Sequence, residues 1–228
     1  MNGRPILSRA QLQQHRVTVP GVKDSVWNPL YDYQTYGNAG VLSMTFFSNP
    51  IGSGTTSAPG ATGAKTQDDT NMVSSSQLAQ GNEFYCIGVE FLFWPGIEPG
   101  RGAIALANVG LFADDVFTLL KSGVLTLTVQ QRNYVQDSPL GKFPPQNRLT
   151  VQSAVAVVAD TNATAATTVE EIVYATGVGV CYNIVPVYIV SNQNFNVTLN
   201  WPAVVALPSA TDGRVGVRLR GYLIRDAQ

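Results

Sequence analysis

From Val41 the chain alternates. In VLSMTFF (41–47), Leu42, Met44 and Phe46 fall on one face and Ser43 and Thr45 on the other, the two-residue period of a strand. FYCIGVEFLFW (84–94) is apolar at almost every position, with Tyr85, Ile87, Val89, Phe91 and Phe93 on one side and Phe84, Cys86, Leu92 and Trp94 on the other. A strand apolar on both faces lies between two layers or beneath a partner. Strand patterns recur in VLTLTVQQR (124–132), LTVQSAVAVVAD (149–160), CYNI and VYIV on either side of Pro186, NFNVTLNW (194–201) and GRVGVRLRGYLIR (213–225). In the last two, Phe195, Val197, Leu199 and Trp201 point inward together with Val215, Val217, Leu219 and Leu223. Arg218, Arg220 and Tyr222 point the other way. VEEIVYATG (169–177) has no decided period.

One helix is predicted over 108–121, where Val109, Phe112, Val116, Leu119 and Leu120 recur at three- and four-residue steps and Gly123 lies just past the end. Between the strands run long, uneven connections. Residues 49–82, rich in Gly, Ser, Thr and Pro, read as a long exposed loop that is either functional or mobile. SPLGKFPP (138–145) reads as a fixed corner without regular structure. Residues 1–40 read as an arm lying across its own sheet or a neighbour, with Trp27, Leu30, Tyr31, Tyr33 and Tyr36 as its aromatic end. About eight strands joined by long crossings predict an all-β fold: a single eight-stranded jelly-roll (Greek-key) sandwich over 41–228 with one inserted helix and an extended N-terminal arm.

Composition changes that picture in one respect. Only 13% of the 228 residues are charged, about half the usual ~25%, and the formal net charge is −1. Either the surface is Ser, Thr, Asn, Gln and Gly, or much of it is covered by other subunits, because interface cores are depleted in Lys, Glu and Asp. Near-neutrality argues against a globally basic nucleic-acid binder. Neither a membrane span nor an apolar signal core is evident, so the expectation is a soluble chain without a secretory signal. Cys86 and Cys181, each within a hydrophobic run, are expected as small buried thiols rather than a bridge.

Catalytic chemistry finds little to work with. The single histidine, His15, lies in the arm, which rules out a histidine cluster for metal, and no C-x-x-C pair exists. Asp68-Asp69 is expected in solvated loop, with weak Ca²⁺ binding beside Asn71 as the sharper alternative. Asp114-Asp115 is expected to sit favourably on the helix dipole, and Glu170-Glu171 to mark a wet edge. GSGTTSAPGATG lacks the Gly-Lys-Ser/Thr ending of a phosphate loop. No catalytic residue, cofactor or metal site is expected. Arg214, Arg218, Arg220 and Arg225 are expected in structural ion pairs, and the candidate assembly contacts are Arg4, Arg9, Arg16, Trp27, Tyr31 and Tyr33.

Several blocks carry a resemblance. PLGKFPPQNRL (139–149), SNQNFNVTLNWP (191–202), GRVGVRLRGYLIRDAQ (213–228) and VPGVKDSVWNPLYDYQTYGNAG (19–40) with DDTNM (68–72) resemble virion structural proteins of bacteriophages. The wider resemblance is to single jelly-roll coat proteins of icosahedral viruses. It implies a subunit that self-assembles into a shell, located in the virion after assembly in the host cytoplasm, with copies of itself and other virion proteins as partners. Its basic arm would make weak contact with packaged nucleic acid. The alternative from a different class is a decoration, spike or carbohydrate-recognising virion protein, for which Trp94 or Trp201 would line an open groove.

Overall fold

The computed structural model describes residues 23–96, 109–143, 148–155, 168–175 and 181–226. These hold strands β1 (Lys23–Trp27), β2 (Leu30–Tyr36), β3 (Ser43–Phe46), β4 (Glu83–Trp94), β5 (Val124–Val129), β6 (Arg132–Asp137), β7 (Arg148–Val155), β8 (Thr168–Ala175), β9 (Tyr182–Val190), β10 (Phe195–Asn200) and β11 (Gly213–Asp226), with one α-helix, α1 (Val109–Leu120). Every pairing is antiparallel. In the larger sheet β11 pairs β4, which pairs β9, while the other edge of β11 is shared end to end by β2 and β1. The smaller sheet runs β3-β10-β5-β6, and β7 and β8 form a separate hairpin. The protein is thus an all-β sandwich, with eleven strands among the described residues.

One core joins the two sheets. Phe46, Leu125, Leu127 and Leu199 from the smaller sheet meet Phe91, Val217 and Leu219 from the larger, all fully buried. Each such side chain contributes about 1.5–3 kcal/mol relative to exposure. The smaller sheet follows its sequence period: in β5 and β10 the buried residues are Leu125, Leu127, Val129, Phe195, Val197 and Leu199, with Thr and Asn between them.

The larger sheet departs from the simple period in β4. Phe84 and Cys86 join Val89, Phe91 and Phe93 in the shared core, whereas Tyr85 lies in a second cluster with Tyr222 and Ile224 on the outer side. The pairing of β4 with β11 slips by one residue, Arg220 opposing Gly88 and Gly221 opposing Cys86, so Ile87 is an extra residue. A one-residue bulge exchanges the two faces. The constant face assignment expected for 84–94 is therefore corrected: the alternation holds on each side of Ile87 and inverts across it.

Among the described residues strands begin at Lys23, ahead of Val41. The aromatic end of the arm lies along its own sheet, as β1 and β2; residues 1–22, with Arg4, Arg9, Arg16 and His15, lie outside the described residues. β6 is a further strand absent from the sequence expectation, reached by a tight turn in which Gln130 takes φ 56°. β9 runs as one strand through Pro186, which an edge strand tolerates. The ladder to β4 is interrupted there, since Gly88 opposes Asn183 and Cys86 opposes Val187. Around 138–143 a single 3₁₀ turn, Leu140–Lys142, buries Leu140 and Phe143.

Helix α1 buries Phe112 and Leu119 as expected and leaves Phe117 exposed. Asp114 and Asp115 are not in its first turn, so the dipole account of them is corrected. Asp115 is buried and accepts a hydrogen bond from the Ser209 backbone N–H at 2.9 Å, tying the helix to the β10–β11 connection. Glu170 and Glu171 fall in β8, and their side chains lie outside the described residues. Both cysteines are free and buried.

Candidate functional site

Chemistry-bearing side chains gather on the outer face of the larger sheet. Register sets Tyr31 beside Arg218 and Glu90, Tyr33 beside Gly216 and Leu92, and Trp27 beside Tyr222 and Tyr85. Strand parity brings them together, since residues directly opposite share a face. The expected outward direction of Arg218, Arg220 and Tyr222 is what this register gives.

The arginines are committed to acids of the same chain. Glu90 is fully buried, with Arg220 at 3.2 Å and Arg218 at 3.9 Å. Arg214 reaches Asp68 at 2.9 Å and Asp69 at 3.4 Å, and lies 4.5 Å above the Tyr33 ring. Arg225 pairs Asp24 at 3.8 Å across two half-exposed side chains. Aromatic contacts link the same surface. Tyr33 packs on Trp94 at 5.4 Å and Tyr31 at 5.8 Å, and Trp27 meets Tyr222 edge-on at 5.2 Å beneath the Arg220 guanidinium. Trp27, Tyr31 and Tyr33 thus all make contacts within their own chain.

Against one margin of this face lies the loop between β3 and β4. It is pinned, although much of it faces solvent. The Tyr33 N–H donates to Asp69 O at 2.7 Å, the Tyr31 N–H to Asn71 Oδ1 at 3.1 Å, and Thr70 Oγ1 to Tyr31 O at 3.0 Å. Residues 69–71 therefore run along the edge of β2 that β11 leaves free. An open strand edge is a liability that proteins cover, and here loop backbone and side chains cover it.

Two buried aspartates hold the loop down. Asp69 accepts from Thr56 Oγ1 at 2.6 Å, Ser57 Oγ at 2.7 Å, the Ser57 N–H at 2.8 Å and the Thr66 N–H at 3.0 Å. Burial alone would raise its carboxyl, but these donors outweigh burial and hold it at about 2. The solvated-loop expectation is corrected for Asp69 and kept for Asp68, which is largely exposed. A cation at this pair is disfavoured because the Arg214 guanidinium already occupies the carboxylates. Asp32, from β2, is buried against Lys65 of the loop at 2.5 Å, and its second oxygen accepts the Phe47 N–H at 2.6 Å.

Neither thiol is poised to react. Burial pushes Cys86 up to about 12, and burial followed by the Glu90 charge pushes Cys181 up to about 11. No group of three His, Cys, Asp or Glu side chains suited to a metal occurs among the described residues. Nor is any helix among them long and apolar enough to cross a membrane. What this arrangement does chemically is fasten strands and loop into a rigid plate. Comparison with known proteins returns no match, whether to a protein-family model, a curated protein or a solved structure.

Proposed function

We propose that this protein is a structural subunit of a bacteriophage particle, a capsid or coat protein that assembles with copies of itself on a single jelly-roll sandwich. The observation that carries the reading is strand order. Eight strands divide as β2-β11-β4-β9 and β3-β10-β5-β6, with β7 and β8 as an insertion between β6 and β9. Followed along the chain, successive strands cross from one sheet to the other at each step except β5 to β6. Two four-stranded sheets joined by such crossings are the pattern of a jelly roll.

Further support comes from where the charges go. Arg214, Arg218 and Arg220 are spent on internal acids, which leaves no surplus on the sheet face for a charged substrate. Trp201 is buried in the core, and Trp94 is half-buried against Tyr33, which suits a wall more than a sugar platform. In this reading Arg4, Arg9 and Arg16 of the arm make modest, salt-sensitive contact with packaged nucleic acid, and the protein resides in the virion.

A second reading, a decoration or receptor-binding virion protein that recognises carbohydrate, draws on one observation. An open cleft of 330 Å³ lies where the β1–β2 junction meets the loop, with Tyr31 beside Asn28, Asn71 and Asn82. Against it, both ends of the Asn71 amide are already bonded, to the Tyr31 N–H and to Pro29 O.

Purified full-length protein examined by negative-stain microscopy and sedimentation is expected to form large regular particles, and removal of residues 1–22 is expected to leave a folded domain that forms none. A monomer at every concentration and salt level overturns the proposal.

A further inference from the structure

The contact between Lys65 and Asp32 has features that an ion pair leaves unexplained. Both side chains are shut off from solvent, at 2% and 0% exposure, and Lys65 Nζ lies 2.5 Å from Asp32 Oδ1. A buried ammonium carries three N–H donors. Among the described residues Lys65 Nζ has one acceptor, Asp32 Oδ1. The nitrogen of a secondary amide keeps a single N–H in place of three, so condensation leaves fewer buried donors to satisfy. Isolating two charges at this depth costs several kcal/mol per ion, whereas an amide carries no charge.

We propose that Lys65 and Asp32 condense to an intramolecular isopeptide bond that fastens the β3–β4 loop covalently to β2.

The groups for that step stand in place. Proton transfer within the pair converts ammonium and carboxylate to amine and carboxylic acid, the proton resting on Oδ1. Burial pushes the Asp32 carboxyl up despite the opposing pull of Lys65, toward the acid form that reacts. The Nζ lone pair then adds to Cγ, and the charge that develops on Oδ2 faces the Phe47 backbone N–H, 2.6 Å away. A donor held at such an oxygen stabilises the tetrahedral intermediate. Nitrogen gives a second proton to Oδ1, the Cγ–Oδ1 bond breaks, and one water leaves. The amide keeps one N–H. Nothing is oxidised or reduced, and no co-reactant is consumed. The surroundings of the pair supply the rest of the chemistry, since a buried, oriented amine and acid are spared the solvent competition that prevents amide formation in water.

This inference stands apart from the assembly reading, because the bond forms within one subunit whether or not shells are built. The test is mass spectrometry on the folded full-length protein. The expected intact mass falls below the sequence mass by one water. Trypsin, acting on the denatured chain, is expected to leave the bond after Lys65 uncut. A chymotryptic digest should contain a branched peptide joining the residues around Asp32 to those around Lys65. Lys65→Arg, which keeps the charge but cannot condense in this way, is expected at its full sequence mass with native near-ultraviolet circular dichroism. A wild-type chain at full mass and cut normally after Lys65 overturns the proposal. So does a water loss accompanied only by linear peptides, which marks an aspartyl succinimide instead. The decisive measurement is made on wild type, so misfolding of the variant does not blunt it.

Discussion

The two sheets of this sandwich share a core and differ on their outer sides. Across β3, β10 and β5 the smaller sheet presents uncharged residues outward: Ser43 and Thr45, Asn196 and Thr198, Thr126 and Thr128, with Thr45, Thr198 and Thr126 in one cross-strand row. Those strands show a clean alternation of buried and open positions. The larger sheet places Glu90, Arg218, Arg220 and six aromatic rings on its outer side, and nine of the twelve residues of β4 are buried. A sheet open to water on one side keeps a period of two, whereas one covered on both sides loses it. The low charge of the chain is met in both ways: one face is Ser, Thr and Asn, and the other neutralises its charges internally.

The largest expected effect in breaking that contrast lies at Asp69. Asp69→Asn removes a buried carboxylate from its donors and from Arg214, and is expected to lower stability by about 3–4 kcal/mol at pH 7, read as the shift of a urea midpoint. The same pair of proteins tests the sign of the pH dependence. A carboxyl held at about 2 in the fold, against an ordinary 3.8, stabilises the native state above its ordinary value and loses that contribution as pH falls through 2. The wild-type advantage over Asp69→Asn should therefore shrink by about 2 kcal/mol between pH 5 and pH 2. A constant difference across that range would show that the Asp69 carboxylate does not hold the loop.

A middle effect is expected at Gly216. A Cβ there would run into the Tyr33 ring, which is wedged against Trp94 and beneath Arg214. Gly216→Ala should cost about 1–2 kcal/mol and quench or shift the Trp94 fluorescence contribution as the ring is displaced. The smallest effect belongs to the other sheet. Thr126→Ala, on the open outer face, should stay within about 0.5 kcal/mol by thermal denaturation. A larger loss there would mean that the smaller sheet is covered as the larger one is.

How much of this was legible in the sequence follows from the same contrast. β3, β5, β10 and β11 were readable because their core-facing residues are apolar without exception, and α1 because its buried stripe recurs at helical steps. β2 was not. Its core-facing positions are Leu30, Asp32, Gln34 and Tyr36, and two polar residues in four hide a strand whose aspartate is matched by Lys65 from the loop. β6 escaped notice because Val135 is its one buried side chain. The bulge at Ile87 is silent, since FYCIGVEF is apolar on either parity. Neighbouring aspartates 68 and 69 look alike in the chain, and the difference between them is made by Thr56, Ser57 and Thr66, supplied from elsewhere in the loop. The sharpest miss of the candidate site was therefore the loop itself: its composition suggests freedom, and long-range polar contacts fix it.

Residues 69–71, bonded along β2, also limit how a crowd of these molecules can join. Along β2 the loop already occupies hydrogen-bonding groups of one margin of the larger sheet, and the opposite margin, β9, carries Pro186 in mid-strand. In the proposed assembly, neighbours at those borders would meet through side chains instead of zipping into an endless ribbon, so their union could be undone, corrected and remade while a closed object is built.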